Sequence, residues 1–315
     1  MERYPKTWME LEAQFSTEEA CRDYLFDLRW PEGFVCPRCG SRKAWPRGAL
    51  LWECVPCGRQ TSVTAGTLFQ DTHKPLTTWF RALWLVTSQK TGASAMGVQR
   101  VLGLGSYRTA WTWLHKLRRA MVRPGRDRLT GRVEVDEAYW GAHEYDGVEG
   151  RKIEGKALIL IAAQEDGRGI GRIRLRRATN ARADTLGAFI ASAIEPGSVV
   201  HTDGWHGYAR LTAKGYIHEV SPLLRKVGAG PRMLPRVHRV AGLLKTWMYG
   251  THQGAMSHEH LDYYLDEFTF RFNRRKSTSR GKLFYRLVQQ AVQVSPVTYR
   301  QIIRSKSGLS QEHKP

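Results

Sequence analysis

The sequence predicts a mixed five-stranded α/β core that is preceded by a small cysteine-bearing module and a helical segment. Three observations predict this order. Four of the five cysteines form two CxxC pairs near the start of the chain. Apolar residues then recur with helical spacing from about Leu76 to Val122, and strand-like alternation begins after Arg132. A chain of 315 residues is long enough for two or three compact units, each with its own core.

The charge balance is the unusual feature of the composition. Hydrophobic residues make up 42% and charged residues 25% of the chain, as in ordinary soluble proteins, but the net charge is +20. Such an excess favours a polyanionic partner through counterion release. An anionic membrane surface is the competing partner, yet the sequence has no lipidation motif and no apolar run long enough to span a bilayer. The N-terminal MERYPKTWMELEAQF lacks the pattern of a signal peptide, so we expect a cytoplasmic protein.

The first module is predicted to be a zinc ribbon over residues 31–70. Cys36 and Cys39 are separated from Cys54 and Cys57 by fourteen residues, so two CxxC knuckles can supply four thiolates to one tetrahedral Zn²⁺. A pair of disulfides is the alternative, and a reducing cytoplasm disfavours it. Both direct DNA reading and a structural or protein-docking role remain open for this ribbon.

An N-terminal helical segment is expected over residues 1–30. Its stretch STEEACRDYLFDLRW is amphipathic, and Ser16 and Glu19 resemble a capping box. Cys21 lies within this stretch and is assigned to the core.

Residues 71–128 are predicted to form a helix-turn-helix domain that binds DNA. The stretches LTTWFRALWLVTSQ, SAMGVQRVLG and SYRTAWTWLHKLRRAM have helical spacing, and a short glycine turn joins the last two. Ser106 is a suitable N-cap for the third helix, whose first turn would present Tyr107 and Arg108 to base edges. The tryptophans of these helices are assigned mainly to the core.

The catalytic domain is expected over residues 129–292, from the order of its strands and helices. Strands are predicted at 132–136, 156–164, 171–178 and 198–203, with a shorter one at 216–220 and a helix at 183–194 between the third and fourth strands. This order resembles the RNase H-like fold, in which the first and fourth strands lie side by side.

Asp136 and Asp203 are the candidate metal-binding carboxylates, because each lies at the end of one of these two strands. They are 67 positions apart in the sequence but would meet in such a sheet. Two carboxylates on adjacent strands can hold divalent cations that activate a water or a 3′-hydroxyl for attack at phosphorus. Mg²⁺ suits oxygen ligands, and Mn²⁺ is the alternative.

The segments VEVDEAYWG, VHTDGWHGY, VHRVAGLLKTWMYGTHQG and HLDYYLDEFTFRFNRR resemble the transposases of bacterial insertion sequences that combine a zinc ribbon, a helix-turn-helix and a DDE-type core. The resemblance covers roughly Trp30 to Val292. It implies binding to terminal inverted repeats, metal-dependent cleavage and strand transfer into target DNA. It also implies a homo-oligomer on double-stranded DNA, associated with the nucleoid.

The third metal ligand of this family is a glutamate, and this sequence departs from that pattern. His238 lies 35 residues after Asp203, where the glutamate is expected, and Lys245 follows at the family's spacing of seven. His238, Gly242 and Lys245 share one helical face. We interpret the site as a DDH variant, in which Lys245 contacts DNA near the scissile phosphate. A decayed copy that lost its glutamate is the alternative. Other candidate acids are Glu137, Glu259, Asp262, Asp266 and Glu267.

The C-terminal part of the chain is strongly basic. No Asp or Glu occurs between Phe268 and Gln311, whereas ten Lys or Arg do. Aromatic residues are interleaved, so part of this segment should pack while its basic residues, among them Arg274 and Arg275, contact DNA. Residues 293–315 are expected to form a basic tail.

Two further functions are compatible with the sequence. A catalytically inactive, transposase-derived DNA-binding regulator would bind specifically and would not cleave. An RNase H-like, structure-specific nuclease would prefer branched DNA or an RNA–DNA hybrid, although it has less need of sequence-reading modules.

Overall fold

The computed structural model describes residues 3–123, 125–141, 156–221 and 234–304. Two compact units are formed, one from the described residues 3–123 and 276–304, the other from those between 125 and 275. The helices are α1 (Trp8–Gln14), α2 (Glu18–Arg29), α3 (Leu76–Ser88), α4 (Ala95–Leu102), α5 (Tyr107–Ala120), α6 (Ala183–Ala193), α7 (Pro235–His252), α8 (Leu261–Asn273), α9 (Arg280–Ala291) and α10 (Tyr299–Arg304). The strands are β1 (Ala44–Arg47), β2 (Leu51–Cys54), β3 (Gln60–Ser62), β4 (Arg132–Trp140), β5 (Ala157–Asp166), β6 (Gly169–Ala178), β7 (Val199–Thr202) and β8 (Ile217–Val220).

Helix α2 begins one residue later than the predicted capping box requires. Thr17, and not Ser16, is the N-cap, and its hydroxyl accepts a hydrogen bond from Ala20 N at 3.1 Å. The carboxylate of Glu18 is used elsewhere, because it accepts hydrogen bonds from Leu76 N and Thr77 N at the start of α3, both at 2.9 Å. Cys21 is buried, as expected.

The helical segment has the three predicted helices, α3 to α5. The turn between α4 and α5 begins at Gly103, whose φ of +61° favours glycine. Ser106 is the N-cap of α5 and accepts from Thr109 N at 3.2 Å. Trp79, Trp84 and Trp113 are buried, which agrees with their assignment to the core.

Helix α9 lies in the N-terminal unit, although the catalytic domain was predicted to extend to residue 292. The apolar face of α9 packs on α3, where Phe284 is fully buried with its ring centroid 5.7 Å from that of Phe80 and 5.9 Å from that of Trp84. The interleaved aromatic residues predicted that part of this segment packs, but not the element it packs against. The predicted tail contains the short helix α10, whose Ile302 is buried, and residues 305–315 lie outside the described part of the chain.

The second unit is built on a mixed five-stranded sheet in the order β6-β5-β4-β7-β8. Strand β4 is antiparallel to β5 and parallel to β7, so the first and fourth strands of the unit are neighbours, as predicted. Helices cover both faces, since α7 and α8 pack on one face and α6 on the other. This arrangement is consistent with an RNase H-like core.

Alternation along β4 assigns its side chains to the two faces. Val133 and Val135 belong to the core beneath α6, whereas Trp140 belongs to the core beneath α7 and α8. Because successive strand residues point to opposite faces, Glu134 and Asp136 lie on the α7 side. None of the helices in the described ranges is both long and apolar enough to cross a membrane.

Candidate active site

The four predicted zinc ligands converge. The sulfur atoms of Cys36, Cys39, Cys54 and Cys57 all lie within 4.8 Å of one another, with 3.6 Å between Cys36 and Cys57 and 3.5 Å between Cys39 and Cys54. Four thiolates around Zn²⁺ at bond lengths of about 2.3 Å would be separated by about 3.8 Å, so the spacing fits this ion. A disulfide needs about 2.05 Å, and none of these cysteines is disulfide-bonded. The residues present therefore fit a structural zinc site.

Two similar turns place these sulfur atoms. Each CxxC pair is followed by a glycine with positive φ, Gly40 at +73° and Gly58 at +65°. Gly40 N donates to Cys36 O and Gly58 N to Cys54 O, both at 2.9 Å. One turn precedes β1 and the other follows β2, so pairing of β1 with β2 brings the two knuckles together.

Asp136 lies in the middle of β4, and Asp203 directly follows the adjacent parallel strand β7. The prediction that the first strand ends at Asp136 is wrong, because β4 continues to Trp140 in its pairing with β5. The register pairs Val133 with Val200 and Glu134 with His201. Continued by two residues, this register brings Asp136 level with Asp203. Neighbouring strands are about 4.8 Å apart, so the two side chains leave the backbone at close range. Burial is the largest cause of the raised pKa of Asp136, and the negative charge of Asp203 adds to the rise.

The start of α7 brings the side chain of His238 close to Asp136. Its Nε2 lies 4.0 Å from Oδ2 of Asp136, and its side chain is 48% exposed. A cation with ligand bonds of about 2.1 Å bridges atoms separated by up to about 4.2 Å, so one ion fits between these two atoms. Among the described residues, only the four cysteines form a tight cluster of three or more potential ligands. Asp136, Asp203 and His238 are therefore spaced more widely than the cysteine sulfurs.

Burial is the main influence on Asp136. It raises the pKa of this carboxyl, while the backbone N–H of Glu137, which donates to Oδ1 at 2.8 Å, opposes the rise. The carboxylate of Asp203 adds to the rise in pKa and His238 opposes it. A cation would stabilise the charged form of such a group.

Glu137, one of the other candidate acids, also belongs to this charge cluster. It accepts a hydrogen bond from the buried Tyr208 hydroxyl at 2.9 Å, so its carboxylate points toward the α6 side of the sheet. Burial, together with the charges of Asp136 and Asp203, raises its pKa to about 7. Adjacency to Asp136 in the sequence was the only signal for this residue.

Two of the other candidate acids, Asp262 and Glu267, have hydrogen-bond partners in the fold. Asp262 accepts from the backbone N of Arg177 at 3.2 Å and fastens α8 to β6. Glu267 is buried and pairs with Arg271 at 2.9 Å. Asp262 thus contacts β6, which is two strands away from β4.

Two protein-family descriptions match the chain. "Transposase zinc-ribbon domain" matches residues 16–60, and "ISXO2-like transposase domain" matches residues 128–273. The chain belongs to the zinc-ribbon transposases of insertion sequences. The second match contains Asp136, Asp203 and His238.

Individual relatives of this transposase are distant. A Halobacterium salinarum protein, described as an uncharacterized protein in transposable element ISH50, is 25% identical over 219 residues, which cover 62% of this chain and 71% of that protein. Among solved structures, a simian T-cell lymphotropic virus intasome in complex with PP2A regulatory subunit B56 gamma matches at 14% identity. The match covers 59% of this chain and 70% of the matched intasome chain. Its TM-score of 0.32 is too low to support an argument on fold.

Both predicted DNA-reading residues are exposed at the start of α5. The Tyr107 side chain is 50% exposed. Arg108 is also exposed, and its guanidinium lies 5.3 Å from the ring centroid of Tyr299 in α10. The short C-terminal helix therefore packs beside the first turn of α5.

Arg274 and Arg275, which were predicted to contact DNA, make contacts within the second unit. Their guanidinium groups lie 4.0 Å from the ring centroids of Phe270 and Phe272, respectively. Arg275 also donates to the carbonyls of Ile170 and Gly171 at the start of β6. Lys245, by contrast, is exposed on α7 on the same side as His238.

Proposed function

We propose that this transposase binds the terminal inverted repeats of its element, cleaves them in a metal-dependent reaction and transfers the 3′ end into target DNA. Membership of the transposase family and the arrangement of Asp136, Asp203 and His238 support this proposal. Because two element ends must be joined, we further propose that the protein acts as a homo-oligomer on DNA, in association with the bacterial nucleoid.

The observation that carries the proposal is the approach of one imidazole to a carboxylate on β4, beside the carboxylate that follows β7. Asp136 and Asp203 would hold Mg²⁺ or Mn²⁺ together with Nε2 of His238. The cation would activate a water or a 3′-hydroxyl and stabilise the leaving oxygen in an in-line displacement. Lys245 lies two turns from His238 on the same helix, where its ammonium would pair with a phosphate beside the cleaved bond.

DNA recognition is assigned to the N-terminal unit. Tyr107 and Arg108 would contact base edges from the start of α5. The basic residues of the zinc ribbon would add contacts to the phosphate backbone of the DNA. Arg274 and Arg275 would contact phosphates from the end of α8, although part of their donor capacity is used within the unit.

Asp136→Asn tests the chemistry. With end-bearing DNA and Mn²⁺ or Mg²⁺, we expect cleavage to fall more than about 100-fold while DNA affinity is retained, because the variant loses a charged ligand but no DNA contact. Asp262→Asn is the matched control, since it removes a partly buried carboxylate that contacts β6, two strands away from β4. Cleavage by Asp136→Asn at the control's rate would refute the proposal.

A DNA-binding regulator is the second candidate, and the histidine at position 238 is the observation that favours it. If the chain is such a regulator, it binds element ends specifically and leaves them intact with both cations, even when two ends are supplied. Cleavage by the unaltered protein would exclude this function.

A further inference from the structure

Glu134 is a buried acid on the same face of β4 as Asp136, two residues before it. Its side chain is 1% exposed, and both of its carboxylate oxygens accept hydrogen bonds. Oε2 accepts hydrogen bonds from Arg236 N at 2.7 Å and Val237 N at 3.0 Å, and Oε1 accepts from Arg236 Nη1 at 2.9 Å. All three donors belong to the first turn of α7.

The start of α7 depends on this carboxylate. The N-cap residue, Leu234, makes no side-chain capping bond, and Pro235 occupies the first turn. The first N–H groups of a helix need acceptors from elsewhere, and a negative charge there is favourable. Glu134 meets both requirements from a neighbouring strand, so it replaces the missing cap and fixes α7 to the sheet.

Arg236 extends the same attachment to the turn between β5 and β6. It donates to Gly167 O and Gly169 O, both at 3.0 Å, and pairs with Glu165 at 2.9 Å. The first turn of α7 is therefore held by β4 and by the β5–β6 hairpin.

Only a short stretch of chain separates the contacts of Glu134 from each of the two proposed cation ligands. Asp136 is two strand residues beyond Glu134, about 7 Å along β4. His238 is one helical residue beyond Val237, a rise of about 1.5 Å. A change in the bonds at Glu134 therefore moves His238 relative to Asp136 with little structure between them to absorb it.

We propose that Glu134 is a positioning residue, which sets the distance between His238 and Asp136 through the N-terminus of α7. The inference rests on the proposed function, in which these two residues share a cation. Glu134 itself holds no cation in this account, because the amides and guanidinium of α7 occupy its oxygens. Groups that orient metal ligands in this way commonly change metal affinity by about 10–100-fold when they are removed.

Asp262 provides a matched control, because it is also a carboxylate that fastens a helix to the sheet. It accepts from Arg177 N at 3.2 Å and pairs with the Arg177 side chain at 3.5 Å. It acts between α8 and β6, and neither element carries a proposed cation ligand. A purely stabilising role predicts similar consequences for Glu134→Gln and Asp262→Asn.

The experiment compares full-length, zinc-loaded Glu134→Gln, Asp262→Asn and Asp136→Asn proteins with the unaltered protein. Mn²⁺ affinity is measured by calorimetry, and amide hydrogen exchange is followed at the start of α7. For Glu134→Gln we expect a rise in the Mn²⁺ dissociation constant of about tenfold or more, together with faster exchange at the start of α7. Asp262→Asn should change Mn²⁺ affinity less than about twofold, and Glu134→Asp, which keeps the charge, should recover part of the loss.

The Mn²⁺ affinities of these variants test the positioning role and the cation site separately. If Glu134→Gln keeps the Mn²⁺ affinity of the unaltered protein, or loses no more than Asp262→Asn, the positioning role is wrong. If Asp136→Asn binds Mn²⁺ as well as the unaltered protein, the proposed cation site fails first, and the positioning role fails with it.

Discussion

The side chain at position 238 sets the charge of the proposed cation site. Imidazole contributes a neutral nitrogen where a glutamate would add a third carboxylate, so Asp136 and Asp203 supply the negative charge. Nitrogen ligands suit softer cations, and Mg²⁺ prefers oxygen. We therefore expect the site to favour Mn²⁺ over Mg²⁺ to a greater degree than a site with three carboxylates.

His238→Glu should shift the cation preference of cleavage. A carboxylate at this position restores an all-oxygen ligand set, so the ratio of the cleavage rate with Mn²⁺ to that with Mg²⁺ should fall by about tenfold. His73→Glu, a substitution at an exposed histidine of the N-terminal unit, controls for the added charge. The same ratio in all three proteins would show that His238 does not bind the cation.

Glu137 gives a pH-dependent prediction. Its pKa rises from 4.5 to about 7 in the folded protein, mainly through burial. The unfolded chain therefore loses this proton at lower pH, and the group costs stability as the pH rises from about 4.5 to 7. In protein without added Mg²⁺ or Mn²⁺, Glu137→Gln should stabilise the second unit by about 1–3 kcal/mol at pH 8, with a smaller gain at pH 5.

Urea unfolding followed by hydrogen exchange in β4 and β5 measures this difference. Glu195→Gln is the control, because Glu195 is about half exposed and lies in the same unit. A gain from Glu137→Gln that does not change between the two pH values would contradict the assigned cause.

At the scale of elements, helix and strand periodicity predicted most of the secondary structure. The alternation after Arg132 predicted β4 and the side to which Asp136 points, and the order of elements predicted that β4 and β7 are adjacent. It could not predict that Glu134 caps a helix about 100 residues later, because an alternating pattern identifies a face but not the partner on that face. For the same reason, the predicted domain boundary at residue 292 did not separate α9 from the second unit.

Phe284→Ala tests the assignment of α9. Removal of this buried ring should destabilise the N-terminal unit by about 3–5 kcal/mol and speed hydrogen exchange in α3, with little effect on β5. Phe268→Ala, in the core beneath α7 and α8, is the matched substitution. It should speed hydrogen exchange in β5 and have little effect on α3. Faster amide hydrogen exchange in β5 of Phe284→Ala would instead show that α9 supports the second unit.

At the scale of the whole molecule, the net charge of +20 makes DNA affinity depend on salt. Lys245→Gln should weaken DNA binding about equally across sequences and reduce the slope of log K against log salt concentration by about one. Arg81→Gln removes the same charge from a residue already paired with Glu12 at 2.8 Å, and its slope should change less. Equal slopes for Lys245→Gln and the unaltered protein would remove Lys245 from the phosphate contacts.

Anomalous diffraction from crystals of the protein grown with Mn²⁺ locates the cation directly. We expect a peak about 2.1 Å from carboxylate oxygens of Asp136 and Asp203 and from Nε2 of His238. A Mn²⁺ peak at Asp262, Asp266 or Glu267, with none between Asp136 and Asp203, would contradict it.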